Sequence, residues 1–279
     1  METLGAALAR TARLLAARHE SARLDAEVLL AHALGRNRAY LYGHSDEPLA
    51  AETGARLAAL AARRAGGEPV AYLVGRREFW SLDLEVTPGT LIPRPETETL
   101  VAGALDRIPA DARLRVADLG TGSGAVALAL ARERPHAFVV GVERSARAIA
   151  VAAANVRRLA PRRVRLLQGD WCEPFAEQSL DVVVANPPYV AEGDPHLERG
   201  DAAFEPREAL AGGPDGLQAI RRIARSAPAR LRPGGWLLLE HGEDQGPRVR
   251  ETLCRFGYRD VRTLADLAGR DRVTEGHRP

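Results

Sequence analysis

Two stretches of this sequence gather side chains that can do chemistry. The first is VVVANPPYV, residues 182 to 190. An apolar run meets Asn186, then Pro187, Pro188 and Tyr189. Proline has no N–H for a β-ladder, so a strand ends at Asn186 and a rigid turn follows. That turn has a carboxamide at its base and a phenol at its tip. The second stretch is VADLGTGSGA, residues 116 to 125, with glycines at 120, 122 and 124. Glycine lets a ligand touch backbone that a side chain would shield. Gly120, Gly122 and Ala125 keep the spacing of the dinucleotide fingerprint, and Glu143 follows about 20 residues later.

Asp118 decides which ligand suits that loop. It stands two residues before the first glycine, at the strand's end. A carboxylate there opposes a pyrophosphate, which needs the positive end of the next helix. It favours a cationic ligand without phosphates. S-adenosylmethionine carries an ammonium, a sulfonium, a ribose with two hydroxyls and an adenine. Glu143 can accept from both ribose hydroxyls. In GDW, residues 169 to 171, Asp170 can accept from the adenine amine and Trp171 can pack on the ring. Each alone reads equally as a cap or a core aromatic. Acids at three successive strand ends, 118, 143 and 170, form the stronger pattern.

The elements around these residues must place them together. From about residue 113, apolar strands alternate with amphipathic helices: LRVADLG, then GAVALALARERP, AFVVGVE, SARAIAVAAANVRRL, VRLLQGD, LDVVVANPPY and GGWLLLEHG. FGYRDVRTLADLAGRDRV completes the set. That alternation predicts an α/β domain with a mostly parallel sheet covered on both faces. Such sheets bind ligands at the carboxyl ends of their strands, near the point where strand order reverses. Both chemical stretches fall at such ends.

Residues 1–73 are different: rich in Ala, Leu, Arg and Glu, with helical spacing in LDAEVLLAHAL and GARLAALAARRA. Gly35, Gly43 and HSDEP break them into several helices. His19, His32 and His44 are scattered there and read as structural or surface residues. Residues 74–92 change to a largely alternating run through Phe79, Leu82, Leu84 and Val86, then TPGT at 87–90 reads as a turn. Together they predict a β-hairpin linker. The remaining domain, 93–279, opens with PRPETET, whose Pro95 and Glu96 suit a first helical turn.

Composition narrows the function classes. The formal charge is +2 over 279 residues, which gives no general phosphate-binding surface. Every Lys/Arg residue is arginine, read as a mark of genome composition. No run of 18 apolar residues indicates a membrane span, and METLGAALARTARLL has no signal-peptide core. Cys172 and Cys254 have no metal or redox spacing. A cytoplasmic, reduced, metal-free protein is expected, and the lack of an obvious apolar stripe favours a monomer.

VADLGTGSGAVALALA resembles the first motif of the class I methyltransferases that use S-adenosylmethionine, with Glu143 at their ribose acid. Aspartate is commoner there. NPPY resembles the fourth motif of the branch that methylates planar, conjugated nitrogens. EPVAYLVGRREFWSLDLEVTPGTLIPRPETE (68–98), FEPREAL, GGPDGL, LEHG and DLAGRDRV further resemble the peptide chain release factor glutamine methyltransferases, the HemK/PrmC family. The resemblance covers nearly the whole chain and is least specific over the first 65 residues. It implies a Rossmann-like methyltransferase domain behind a helical substrate-docking module, with S-adenosylmethionine as cofactor and S-adenosylhomocysteine as product. The implied substrate is the glutamine of the Gly-Gly-Gln loop of class I release factors.

The roles it implies are these. Asn186 and the Pro187 carbonyl accept from the glutamine amide, Pro188 shapes the turn, and Tyr189 flanks the amide. Asp118, Gly120, Thr121, Gly122, Gly124, Glu143, Asp170, Trp171 and Asn186 contact the cofactor. Arg94, Pro95 and Glu96 line the substrate side, although Arg94 reads equally as an inter-domain salt bridge. Glu205 and Arg207 read as a structural ion pair. The alternative is a DNA adenine-N(6) or ribosomal RNA guanine-N(2) methyltransferase, which shares the motifs but needs a basic track for phosphates. An NAD-dependent oxidoreductase leaves Asp118 and NPPY without purpose. A non-catalytic adaptor does not need Asn186 together with the cofactor acids.

Overall fold

The computed structural model describes residues 1–160 and 162–279. The chain divides into two compact units, Met1–Arg76 and Arg77–Pro279.

The first unit is helical: α1 (Leu4–Leu15), α2 (Ala22–Leu34), α3 (Arg38–Gly43), α4 (Ala51–Ala65) and α5 (Val70–Val74). Apolar faces at helical spacing meet in a core built on Leu4, Leu15, Leu29, Leu30 and Leu57. Gly35 ends α2 with φ 66°, a left-handed cap that glycine adopts without strain. Asn37 caps α3 through Tyr40 N at 3.0 Å. The break between α1 and α2 carries no glycine or proline, so nothing in the sequence marked it. His19 Nε2 donates to Arg64 O (2.9 Å), and His44 stacks on Tyr40 at 3.8 Å.

A hairpin follows at the boundary, β1 (Arg76–Phe79) and β2 (Leu82–Glu85). Its reversal is at Trp80–Ser81, with φ of 52° and 54°. Positive φ at a bulky residue is rare, so no local residue type signals it. Tertiary bonds hold it: Trp80 N donates to Glu98 (2.9 Å), Trp80 Nε1 to Glu133 (3.1 Å), and Arg132 donates to both turn carbonyls. TPGT also turns, with Thr90 N on Thr87 O at 2.9 Å, but after the hairpin is complete.

A 3₁₀ turn, Pro95–Thr97, leads into α6 (Glu98–Arg107). The alternating elements follow: β3 (Arg115–Leu119), α7 (Ala125–Glu133), β4 (Phe138–Glu143), α8 (Ala146–Leu159), β5 (Val164–Gln168) and β6 (Leu180–Ala185). Then come the short α9 (Arg207–Leu210), α10 (Gln218–Arg230), β7 (Leu231–Glu240), α11 (Gly246–Arg255), β8 (Arg259–Ala265) and β9 (Asp271–His277). The sheet order is β5-β4-β3-β6-β7-β9-β8, parallel from β5 to β7, with β9 antiparallel to β7 and β8. Alternate residues serve opposite faces. Val116, Val182 and Val184 pack under α6 and α7, while Ala117, Val183 and Ala185 pack under α10 and α11. The order reverses between β3 and β6, which puts the glycine loop and NPPY side by side.

Candidate active site

The loop after β3 is shaped by its neighbours. Gly120 N and Thr121 N both donate to Val142 O (2.9 Å each), extending the β3–β4 ladder into the loop. Gly120 and Gly122 have φ of 72° and 56°. A Cβ on Gly120 would lie a tight 3.1 Å from the Trp171 ring, at a positive φ that favours glycine. Gly122 N donates to Glu143 Oε2 at 3.0 Å, and Ser145 N to Glu143 Oε1 at 2.8 Å. Glu143 thus anchors the loop and keeps lone pairs for further donors.

A cavity of about 390 Å³ opens here, a size suited to a small-molecule site. Its wall takes in Gly120, Gly122, Glu143, Asp170 and Trp171 from one side and Asn186 and Pro188 from the other. Leu91, Glu208, Gln218 and Arg222 also line it, and the sequence singled out none of these for it. Arg222 donates to Asp170 at 2.8 Å, so the carboxylate expected to meet an adenine amine has a cation beside it.

Several expected contacts stand behind the wall. Asp118 is 2% exposed, and its Oδ2 accepts from the Thr121 hydroxyl (2.5 Å) and Ala127 N (3.1 Å). It ties loop to helix rather than facing the cavity. Burial pushes its carboxyl up to about 6, against those two bonds, which pull it down. Gly124 is the left-handed residue that starts α7 and packs against Leu128 and Ala152. Pro187 is buried. Tyr189 packs on the core beneath α10 and α11, its hydroxyl 3.3 Å from Glu240 Oε1 and its carbonyl accepting from Gln245 Nε2 at 3.0 Å. Burial and the Glu240 carboxylate raise its phenol above the usual range.

Arg94, Pro95 and Glu96, expected on the substrate side, do not line this cavity, and Pro95 and Glu96 are exposed. Two expectations need correction. Arg94 is no inter-domain bridge, because its partner Glu205 belongs to the same unit. Glu205 does not pair with Arg207: its carboxylate takes Arg94 and Ile92 N (2.8 Å), and Arg207 is exposed. The Glu205 side chain is fully buried, so losing its cation leaves a buried charge uncompensated. Arg94→Met is expected to lower stability by about 3 kcal/mol, and Arg207→Ala by less than about 0.5 kcal/mol. Urea denaturation of the two variants checks this, and equal losses would refute the pairing argument.

Two residues at the site had no assigned role in the sequence reading, Thr97 and Glu240. Asn186 Nδ2 donates to Thr97 Oγ1 at 3.1 Å. Glu240 ends β7 and is 1% exposed. Burial pushes its carboxyl up to about 7, while the Thr97 hydroxyl, Arg272 and the Tyr189 hydroxyl pull it down. The signal was available: LLLEHG ends an apolar strand on a charged residue, as VVVAN ends one on a carboxamide.

These carboxyls set a pH dependence. Asp118 and Glu240 hold protons in the native state above the pH at which the unfolded chain releases them. Their contribution is fully present near pH 4 and is lost as pH rises towards 7. Between pH 5 and pH 8, wild type is expected to lose about 2–3 kcal/mol more stability than Glu240→Gln, which has no such proton. Denaturation at both pH values measures it; parallel curves would contradict it.

A reversed parallel sheet with a glycine loop and a polar strand end at the switch point defines the class I methyltransferase fold. A methyltransferase from Pyrococcus furiosus has this fold at TM-score 0.54 and 20% identity, covering 78% of this chain and 96% of its own. The sequence matches the family described as PrmC N-terminal domain over residues 6–75 and the Methyltransferase small domain over 99–206. It is 53% identical to the release factor glutamine methyltransferase of Xylella fastidiosa (strain Temecula1), covering 96% of this chain and 98% of that protein. It is 47% identical to that of Escherichia coli (strain K12), covering 92% of each. The chain belongs to the release factor glutamine methyltransferase family. Among the described residues, no His/Cys/Asp/Glu group could hold a metal ion and no helix is long and apolar enough to cross a membrane.

Proposed function

We infer that this protein transfers a methyl group from S-adenosylmethionine to the side-chain amide nitrogen of the glutamine in the Gly-Gly-Gln motif of class I release factors. The observation that carries this reading is the shared cavity: Asn186 lines the same cavity as Gly120, Gly122 and Glu143. The residues present fit the cofactor. The left-handed glycines leave backbone open, Glu143 keeps acceptor capacity for a ribose, and Trp171 offers a ring face. When bound, S-adenosylmethionine supplies an electrophilic methyl on a sulfonium.

The chain's own task is to prepare the nitrogen. An amide lone pair is delocalised into its carbonyl, so the amide is a poor nucleophile. Asn186 Oδ1 and the Pro187 carbonyl accept its two N–H groups, orient it and help localise the lone pair. The prolines hold those acceptors in place before the substrate arrives. Positioning carries much of the rate. No strong general base is needed, because the methylated nitrogen can lose its proton to water.

The test is transfer of labelled methyl to purified release factor, with peptide mapping. One methyl on the Gly-Gly-Gln glutamine, absent when that glutamine is alanine, is the expected result. Label in DNA or ribosomal RNA instead would overturn the substrate. By this reading residues 1–73 dock the release factor. Their deletion is expected to abolish methylation of whole release factor while cofactor Kd, by calorimetry, changes less than about threefold. Undiminished activity after deletion would defeat the docking role.

A further inference from the structure

We propose that Thr97 and Glu240 are positioning residues that hold the Asn186 carboxamide with its oxygen towards the substrate amide. This rests on the reading above, in which Asn186 Oδ1 accepts from that amide.

The geometry converges from three separate elements. The last parallel pair of β6 and β7 is Ala185 with Leu239, and the next residues are Asn186 and Glu240. Thr97 immediately precedes α6, where a threonine hydroxyl ordinarily caps the helix. Here it makes no cap bond. The hydroxyl, on a residue 4% exposed, receives Asn186 Nδ2 at 3.1 Å instead. Glu240 is its other polar neighbour.

A threonine hydroxyl has one proton to give and two lone pairs to offer. Its oxygen already accepts from Asn186 Nδ2, and its proton is left to turn to the Glu240 carboxyl nearby. The NH₂ end of the carboxamide must then face Thr97, and Oδ1 must face away from it. Nothing in packing alone would enforce this, since the two ends of a carboxamide are nearly the same size. A flipped Asn186 would set its N–H groups against those of the substrate.

Glu240 is costly to bury for any structural purpose. Among the described residues no cation forms an ion pair with it: Arg272 is taken by Asp266 and the His241 carbonyl. Glu240 Oε1 receives the Tyr189 hydroxyl, and among the described residues Oε2 is buried with no partner in hydrogen-bond geometry, which leaves it open to the Thr97 hydroxyl. It is an acceptor held ready, against the two polar groups that flank the site.

The experiment uses full-length enzyme and two release factors, one wild type and one with Gln→Glu in its Gly-Gly-Gln loop. Thr97→Val is expected to lower kcat/KM about 30-fold, with cofactor Kd within about twofold, and Thr97→Ser to recover to within about threefold. Wild type should bind the Gln form over the Glu form, because a carboxylate has no N–H to give. Thr97→Val should narrow that preference about tenfold, since a flipped Asn186 donates to a carboxylate. Glu240→Met should act in the same direction, and Thr97→Val with Glu240→Met should cost little more than the larger single change. If circular dichroism shows Thr97→Val unfolded, Thr97→Ala takes its place. Lower thermal stability with an unchanged Gln/Glu preference makes Thr97 merely structural and overturns the proposal. Asn186→Ala separates the two levels. Loss of activity there with Thr97→Val unaffected sinks only this inference. Retention of activity in Asn186→Ala sinks the reading of the site itself.

Discussion

Replacing Asn186 by alanine is expected to lower kcat for release factor methylation by about 10²–10³-fold, while cofactor affinity moves by less than about threefold. The size follows from what the side chain supplies. In the proposed mechanism its oxygen is a fixed acceptor for a nucleophile that cannot be deprotonated at neutral pH, and removing one such preorganised group from an enzyme site costs roughly that much. The structure explains why affinity and rate separate. Asn186 is held by Thr97 from the side of the 3₁₀ turn, whereas the glycine loop is held by Glu143 and Asp118. Deleting one carboxamide leaves the second set of bonds untouched. Asn186→Asp keeps an acceptor of the same shape but places a charge there, and should recover only part of the rate. Single-turnover kinetics with cofactor binding by calorimetry check both variants. A fall in affinity as large as the fall in rate would show that Asn186 builds the cofactor site instead.

Gly122→Val is expected to produce the opposite pattern, a loss of cofactor affinity of more than about 100-fold. Gly122 has φ 56°, and a β-branched residue there is strained. Its N–H reaches Glu143 Oε2, so a shift of the backbone also moves the acid that anchors the loop. The open direction from its Cα has no neighbour closer than 4.0 Å, and Gly122 lines the cavity, so the new side chain occupies ligand space. Raising cofactor concentration should return part of kcat, because Asn186, Thr97 and Glu240 are undisturbed. Calorimetric titration with S-adenosylmethionine and S-adenosylhomocysteine measures the loss. An unchanged Kd would place the cofactor somewhere other than this loop.

Much of the fold was legible because its rules are local. Helical spacing in the first unit, Gly35 as a left-handed cap, apolar strands alternating with helices, and proline as the end of β6 follow from chain chemistry over a few residues. The glycine loop and NPPY were legible for the same reason, since each is one contiguous run. The hairpin reversal at Trp80–Ser81 was not, because its positive φ values are imposed by Glu98, Arg132 and Glu133 from later in the chain. The partner of Glu205 was misread for a related cause. Sequence proximity suggested Arg207, but the fold brings Arg94 from 111 residues away and leaves Arg207 in water.

The division at the site is equally physical. By itself the sequence determined which chemical groups the strand ends carry: a carboxamide between an apolar run and two prolines, acids after three strands, glycines before a helix. Only tertiary structure decided which of them face the cavity. Asp118 and Thr121 bond each other beneath the loop, and Tyr189 packs into the core. Thr97, 89 residues before Asn186, and Glu240, 51 residues after Tyr189, enter through the register of β6 on β7 and the docking of the 3₁₀ turn. A residue's chemistry is a property of its own atoms. Its orientation is a property of neighbours brought in by long-range packing, and local spacing carries no record of them.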